Sequence, residues 1–322
     1  MDHGPVAPEL GLHRGADLAE KCLRGAGPVC EPIERTDPVM VRPSQIRAAD
    51  HVVVESTYGD HLHDAVDPGE ELAKIISRTA SRGGVVIIPA FAVGRAQTLL
   101  YYVQKLKAAG AIPDVPVFLN SPMAMNVTEL FCRHRSEHRL DPETCTATCH
   151  AAIGVRTATD SRELDARRGP MIIISASGML TGGRVLHHIR TFGPDSKNTI
   201  VLVGYQAAGT RGARLAQGSR RLRIHGEDID VQAEIVTLHN LSAHADAAEI
   251  ITWLRGFEKP PITTFITHGE PSASQSLKRR IEAEPGFRCR VPTYLETVLL
   301  EAGARAEGTA LTPPGALHRG GT

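Results

Sequence analysis

Short, uninterrupted apolar runs separated by amphipathic stretches constrain this chain more than any other feature. HVVVE (51–55), VVIIPAF (85–91), MIIIS (171–175) and TIVLVG (199–204) lack the in–out alternation of a half-solvated strand. Strands of that kind are buried on both faces. Between them lie segments with helical spacing. One covers 68–82 and stops at Gly83-Gly84; another covers 94–109, with Leu99, Leu100, Val103 and Leu106 on one face. A strand is expected at 115–119, then a helix over 122–135 with proline in its first turn. Residues 247–257, 262–267 and 271–283 continue as helix, strand and helix. Residues 219–238 alternate around His225-Gly226-Glu227-Asp228, which suggests a hairpin. Strand–helix alternation means a largely parallel sheet covered by helices, an α/β fold. No internal repeat is present.

Composition narrows the function classes. The 322 residues suit about two domains. Lys+Arg and Asp+Glu are both 36, so no global positive field exists, although a local basic cleft remains open. Aromatics make up 4%, too few for a base-stacking platform. No apolar run reaches the roughly 18 residues a membrane span needs, and the N-terminus lacks a signal pattern, so a cytoplasmic protein is expected. Residues 1–35 and 303–322 show no apolar periodicity and are expected to be irregular.

In open α/β sheets, ligands sit beyond the carboxyl ends of the strands. There the sequence places Glu55 after HVVV, a Gly-rich turn from Ser175 to Arg184, a second turn from Gly204 to Thr210, and His268 after ITTFIT. His244 precedes the helix at 247. Each has an ordinary reading. A strand-end glutamate is usually a solvated turn residue. Asp246 and Glu249 fit a capping box. A lone histidine at a strand end is more often structural than a metal ligand. The 175–184 turn is not a P-loop, since no Gly-Lys-Ser/Thr follows. It would nonetheless offer backbone N–H groups, a helix N-terminus and Arg184 to a phosphate.

Two apparent metal motifs fail. His61-Leu62-His63-Asp64 begins as His-x-His-x-Asp-His but continues with Ala65 and Val66. Cys132, His134, His138, Cys145, Cys149 and His150 fit no closed zinc spacing. Six cysteines in a chain of this length do not suggest a disulfide framework, so reduced thiols are expected.

Taken in order, ESTYGDHLH (55–63), IPAFAVGRAQTLL (88–100), NSPMA (120–124), SASGMLTGGRVLHH (175–188), GYQAAGTRG (204–212), LSAHAD (241–246) and THGE (267–270) resemble the β-CASP branch of the metallo-β-lactamase fold. These are zinc-dependent RNA nucleases. The resemblance covers about residues 36–300. It implies the C-terminal half of a metallo-β-lactamase αββα core (36–60 and 196–302) with an inserted β-CASP α/β domain (61–195). It implies catalytic roles for Glu55 and His244, the carboxylate holding the imidazole protonated as a general acid, and a zinc-ligand role for His268. Ser175, Ser177, Gly178, Gly182, Gly183 and Arg184 would face RNA. The family holds two zinc ions per site. Its His-x-His-x-Asp-His motif lies upstream of the residue matched by Glu55, and here the 54 residues before Glu55 carry none. The expectation is a truncated form without the N-terminal metal-binding lobe, inactive alone. A partner chain supplying that lobe, or a homo-oligomer, would complete it. The alternatives are a non-catalytic RNA-binding or scaffolding partner, or a non-functional gene fragment.

Overall fold

A computed structural model describes residues 29–30, 37–41 and 43–300. The expected irregular segments at 1–35 and 303–322 lie outside these residues, apart from the strand Val29–Cys30. In chain order the strands are β1 (Val29–Cys30), β2 (His51–Glu55), β3 (Val85–Pro89), β4 (Val117–Leu119), β5 (Ile153–Gly154), β6 (Met171–Ser175), β7 (Thr199–Val203), β8 (Arg221–Ile224), β9 (Glu227–Asp230), β10 (Glu234–Leu238), β11 (Thr263–Thr267) and β12 (Cys289–Arg290). The helices are α1 (Pro68–Ser81), α2 (Arg95–Ala108), α3 (Pro122–Arg133), α4 (Pro142–Cys149), α5 (Ala158–Ala166), α6 (Val185–Phe192), α7 (Arg211–Ala216), α8 (Ala247–Leu254) and α9 (Pro271–Ala283).

Six strands form a parallel sheet in the order β10-β7-β3-β6-β4-β5. Alternate residues of each central strand enter opposite cores. Val86, Ile88, Ile172, Ile174, Val201 and Val203 pack with α1 and α2 through Leu72, Ile76, Leu99 and Leu100. Val85, Ile87, Met171, Ile173, Ile200 and Leu202 pack with α6 through Val185, Ile189 and Phe192. Helices on both faces therefore account for the unbroken apolar runs.

The smaller sheet, β1-β2-β11-β12, is also parallel. Val52, Val54 and Ile266 pack against Ile250, Ile251 and Leu254 of α8 and Leu277 and Ile281 of α9. β2 and β11 run in register from His51↔Thr263 to Glu55↔Thr267, so Glu55 and the residue after Thr267 leave the same sheet edge.

The expected α/β class is what the chain adopts. Three expectations change. β7 and β10 pair within the six-stranded sheet, so that sheet runs to 238 and the expected boundary at 195 cuts through it. The expected hairpin is confined to β8 and β9; residues 234–238 leave it to pair in parallel with β7. Finally, Cys132 and Cys149 form a disulfide between α3 and α4, while Cys145 and Cys289 are free and buried. Among the described residues no helix is long and apolar enough to cross a membrane.

Candidate catalytic and metal-binding site

Glu55 ends β2 and is 4% exposed. A carboxylate that buried needs partners, and four groups supply them. His244 Nδ1 lies 2.5 Å from Oε2. The Thr57 hydroxyl donates to the same oxygen at 2.6 Å. The Ala245 N–H reaches Oε1 at 3.3 Å. His268 Nδ1 stands 3.8 Å from Oε2, an electrostatic contact beyond hydrogen-bond length. Burial pushes the Glu55 carboxyl up, but the His244 hydrogen bond, the nearby His268 imidazole, the His244 charge and the Thr57 hydroxyl outweigh it and hold it at about 2.

The loops make this convergence possible. His268 follows β11 with φ +50, a left-handed conformation that turns the chain at the strand end. Gly269 then passes so close to β2 that a Cβ there would lie 2.3 Å from Ser56 Oγ. Ser56 Oγ in turn donates to the Thr267 carbonyl at 2.8 Å. His244 arrives on the loop from β10 into α8. Asp246 closes that loop with the expected capping box: its Oδ1 accepts from Ala248 and Glu249, and the Glu249 carboxylate accepts from the Asp246 N–H. From the opposite side, His63 donates through Nε2 to the His244 carbonyl at 2.9 Å, and its N–H donates to Asp246 Oδ2.

Hydrogen-bond accounting fixes how the two imidazoles differ. Thr57 has one hydroxyl proton, and Glu55 takes it. Its oxygen can then only accept from His268 Nδ1, 3.2 Å away. His268 therefore carries its proton on Nδ1 and keeps a lone pair on Nε2, the form a metal ligand requires. His244 instead donates Nδ1–H directly to a carboxylate. The rings stand 5.2 Å apart.

Glu55, His244 and His268 are the one cluster of potential metal donors among the described residues, each offering an atom within 4.8 Å of the others. They fit a zinc centre only in part. Tetrahedral ligands about 2.0–2.1 Å from zinc are separated by roughly 3.3 Å. Glu55 Oε2 and His244 Nδ1 are too close to bind one ion together. The carboxylate belongs behind the imidazoles, leaving two outward nitrogens at most, whereas catalytic zinc takes about three protein ligands.

Hydrogen bonds link the glycine-rich segments to the same strand ends. Tyr205, in the turn after β7, donates to Glu270 beyond β11 at 3.1 Å and lies edge-on to Tyr58. Burial and the Glu270 carboxylate raise its hydroxyl to about 12. Gln206 donates to the Gly178 carbonyl at 3.2 Å, and Arg211 to that of Leu180 at 3.1 Å. The expectation for the Ser175–Arg184 turn needs revision at particular residues. Ser175 is 1% exposed and donates to the Asn120 carbonyl, so it does not face a ligand. Ser177 Oγ accepts from Thr181 and Gly182, using N–H groups that a phosphate would want. Gly183 folds back within 2.4 Å (as a Cβ) of the Ala176 carbonyl, and Gly178 packs on Phe91. Arg184 directs its guanidinium inward, as described below. Sequence reading did not single out Thr57, Tyr205 or Glu270, and it weighed His63 only as part of a failed zinc motif. Thr57 and His63 lie inside the ESTYGDHLH stretch, but nothing in their spacing marks what they touch.

Comparison with known proteins places these residues in context. Residues 96–215 match the Beta-Casp domain, and residues 228–292 match the Zn-dependent metallo-hydrolase RNA specificity domain. Ribonuclease TTHA0252 of Thermus thermophilus is 36% identical over 244 residues, covering 73% of this chain and 55% of the relative. Transcription termination factor FttA is 30% identical over 271 residues in Lokiarchaeum, covering 78% and 41%. FttA of Thermococcus kodakarensis is 31% identical over 264 residues, also covering 78% and 41%. The chain thus spans about half the length of these relatives.

Proposed function

The chain belongs to the β-CASP branch of the metallo-β-lactamase fold, and from that premise we propose that it carries the proton-donating, RNA-facing side of an RNA phosphodiester hydrolase. The carrying observation is the 2.5 Å contact between buried Glu55 and His244. Glu55 stays ionised, holds His244 through Nδ1, and points Nε2–H at the leaving oxygen of the scissile phosphodiester. His63 and Asp246 keep the His244 loop in place. His268, its Nδ1 proton held by Thr57, offers Nε2 to zinc. When bound, zinc supplies Lewis-acid activation of water and of the phosphoryl oxygen. The remaining ligands would come from outside the described residues. RNA would lie along the strand ends, between the Gly204–Thr210 turn and the outer rim of the Ser177–Gly183 loop.

The test is RNA cleavage with zinc added, in the presence and absence of a chain bearing the His-x-His-x-Asp-His lobe. The reading expects RNA binding but no cleavage by the chain alone. With the second chain, it expects cleavage that falls about 10²–10⁴-fold in His244→Ala, the usual contribution of a general acid. Cleavage untouched by that substitution would remove His244 from the reaction.

A further inference from the structure

The mechanism leaves unused a buried polar chain inside the six-stranded sheet domain. His188 on α6 and Asn120 at the end of β4 are both 0% exposed. His188 Nδ1 lies 2.6 Å from Asp165 Oδ1, and its Nε2 lies 2.7 Å from Asn120 Nδ2. The same Nδ2 donates to Ser161 Oγ at 2.8 Å. Asn120 Oδ1 accepts from Arg184 Nη1 at 2.9 Å. The same Nη1 also donates to the Val155 carbonyl, and Nη2 donates to that of Arg156, both at 2.8 Å.

Only one proton arrangement satisfies these contacts. The Arg184 guanidinium has donors alone, so the Asn120 oxygen must face it and the Asn120 amide NH₂ must face His188 and Ser161. His188 Nε2 must then accept, and its proton sits on Nδ1, donated to Asp165. Directionality runs from Arg184 and Asn120 through His188 to the carboxylate, with every Asn120 side-chain donor and acceptor used. The Asn120 backbone is used as well, its N–H donating to Ile174 and its carbonyl accepting from Ser175.

Arg184 occupies the junction between the glycine-rich loop and α6. On one side of it, Gly183 is pressed against Ala176, and the Val185 N–H returns to the Ala176 carbonyl at 3.3 Å. Fixing Arg184 therefore fixes the base of that loop. A phosphate ligand would have to compete with three carbonyl or amide oxygens already seated on the guanidinium.

We infer that Arg184 is a positioning residue, the outer end of an Asp165–His188–Asn120–Arg184 relay that holds the 176–184 loop in its RNA-facing shape, and not a phosphate contact. This rests on the reading of the cleft as an RNA site. The fork geometry is what matters, and charge is secondary, so lysine cannot replace arginine here.

The experiment is filter binding of a labelled single-stranded RNA oligonucleotide to the full chain over a range of salt concentrations. Arg184→Lys and Arg184→Gln are both expected to weaken binding about tenfold, with the slope of log affinity against log salt unchanged. A phosphate contact would behave differently: Arg184→Lys would keep the affinity, and Arg184→Gln would lower the slope by about 0.7. That result overturns the inference. Wild-type chain that binds no RNA would sink the cleft reading and the inference with it. A second readout does not depend on RNA or on the fold of an Arg184 variant. Proton NMR of the wild-type chain should show a slowly exchanging low-field imidazole N–H that disappears in Asp165→Asn. Absence of that resonance in the wild type overturns the relay.

Discussion

The two sheets divide the work of the molecule. The six-stranded sheet is closed on both faces by helices, and the polar groups at its strand ends are largely satisfied by one another: Ser175 by Asn120, Ser177 by Thr181 and Gly182, Arg184 by Asn120, Val155 and Arg156. The small sheet gathers one buried carboxylate and two half-exposed imidazoles at a single edge. The comparison teaches that glycine-rich turns and chemical reactivity sit at equivalent places on two sheets yet differ in what they have left to offer. One edge is a finished scaffold, and the other gathers ionisable groups.

Substitutions should separate the two. Ile173→Ala removes a side chain that is 0% exposed at the centre of the large sheet. It should cost about 4 kcal/mol of unfolding free energy in a denaturant titration, within the usual range for buried isoleucine. The Glu55–His244 contact should survive in the fraction that remains folded. The small sheet should show its own signature in acid. Glu55 sits near 2 when folded, against 4.5 in an unfolded chain. Its contribution is therefore fully present above about pH 4.5 and is lost as pH falls toward 2. About 3 kcal/mol should disappear over that window, and Glu55→Gln should flatten it. Gly269→Ala forces a Cβ against Ser56 at the small-sheet edge and should cost about 2 kcal/mol by overpacking, measured by thermal unfolding. Asp246→Ala removes the cap of α8 and the acceptor of the His63 N–H, and should cost about 1 kcal/mol.

The larger sheet was the more legible in sequence. Its central strands β3, β6 and β7 are unbroken apolar runs, and β6 matches its expected bounds. The short helices α5 and α7 were not legible. Each has only a turn or two of apolar spacing, and both start from caps (Thr157 with Asp160, and Thr210) that resemble ordinary loop residues. β10 merged with the hairpin because alternation says nothing about which partner a strand chooses. At the site, Glu55, His244 and His268 could be named from strand-end position and family resemblance, and the fold brings them to one edge. The inward turn of Arg184 could not be read, because its partners Asn120, Val155 and Arg156 come from other elements. The Cys132–Cys149 pairing was hidden for a similar reason: spacing alone does not show that α3 and α4 lie side by side.

The proposal that the described residues hold only part of a metal centre is tested most directly by zinc analysis of the purified full chain by mass spectrometry. Two outward imidazoles with a carboxylate behind them should give well under one zinc per chain after dialysis, with no change in His268→Ala. One or more zinc ions retained per chain, and lost in His268→Ala, would contradict the account.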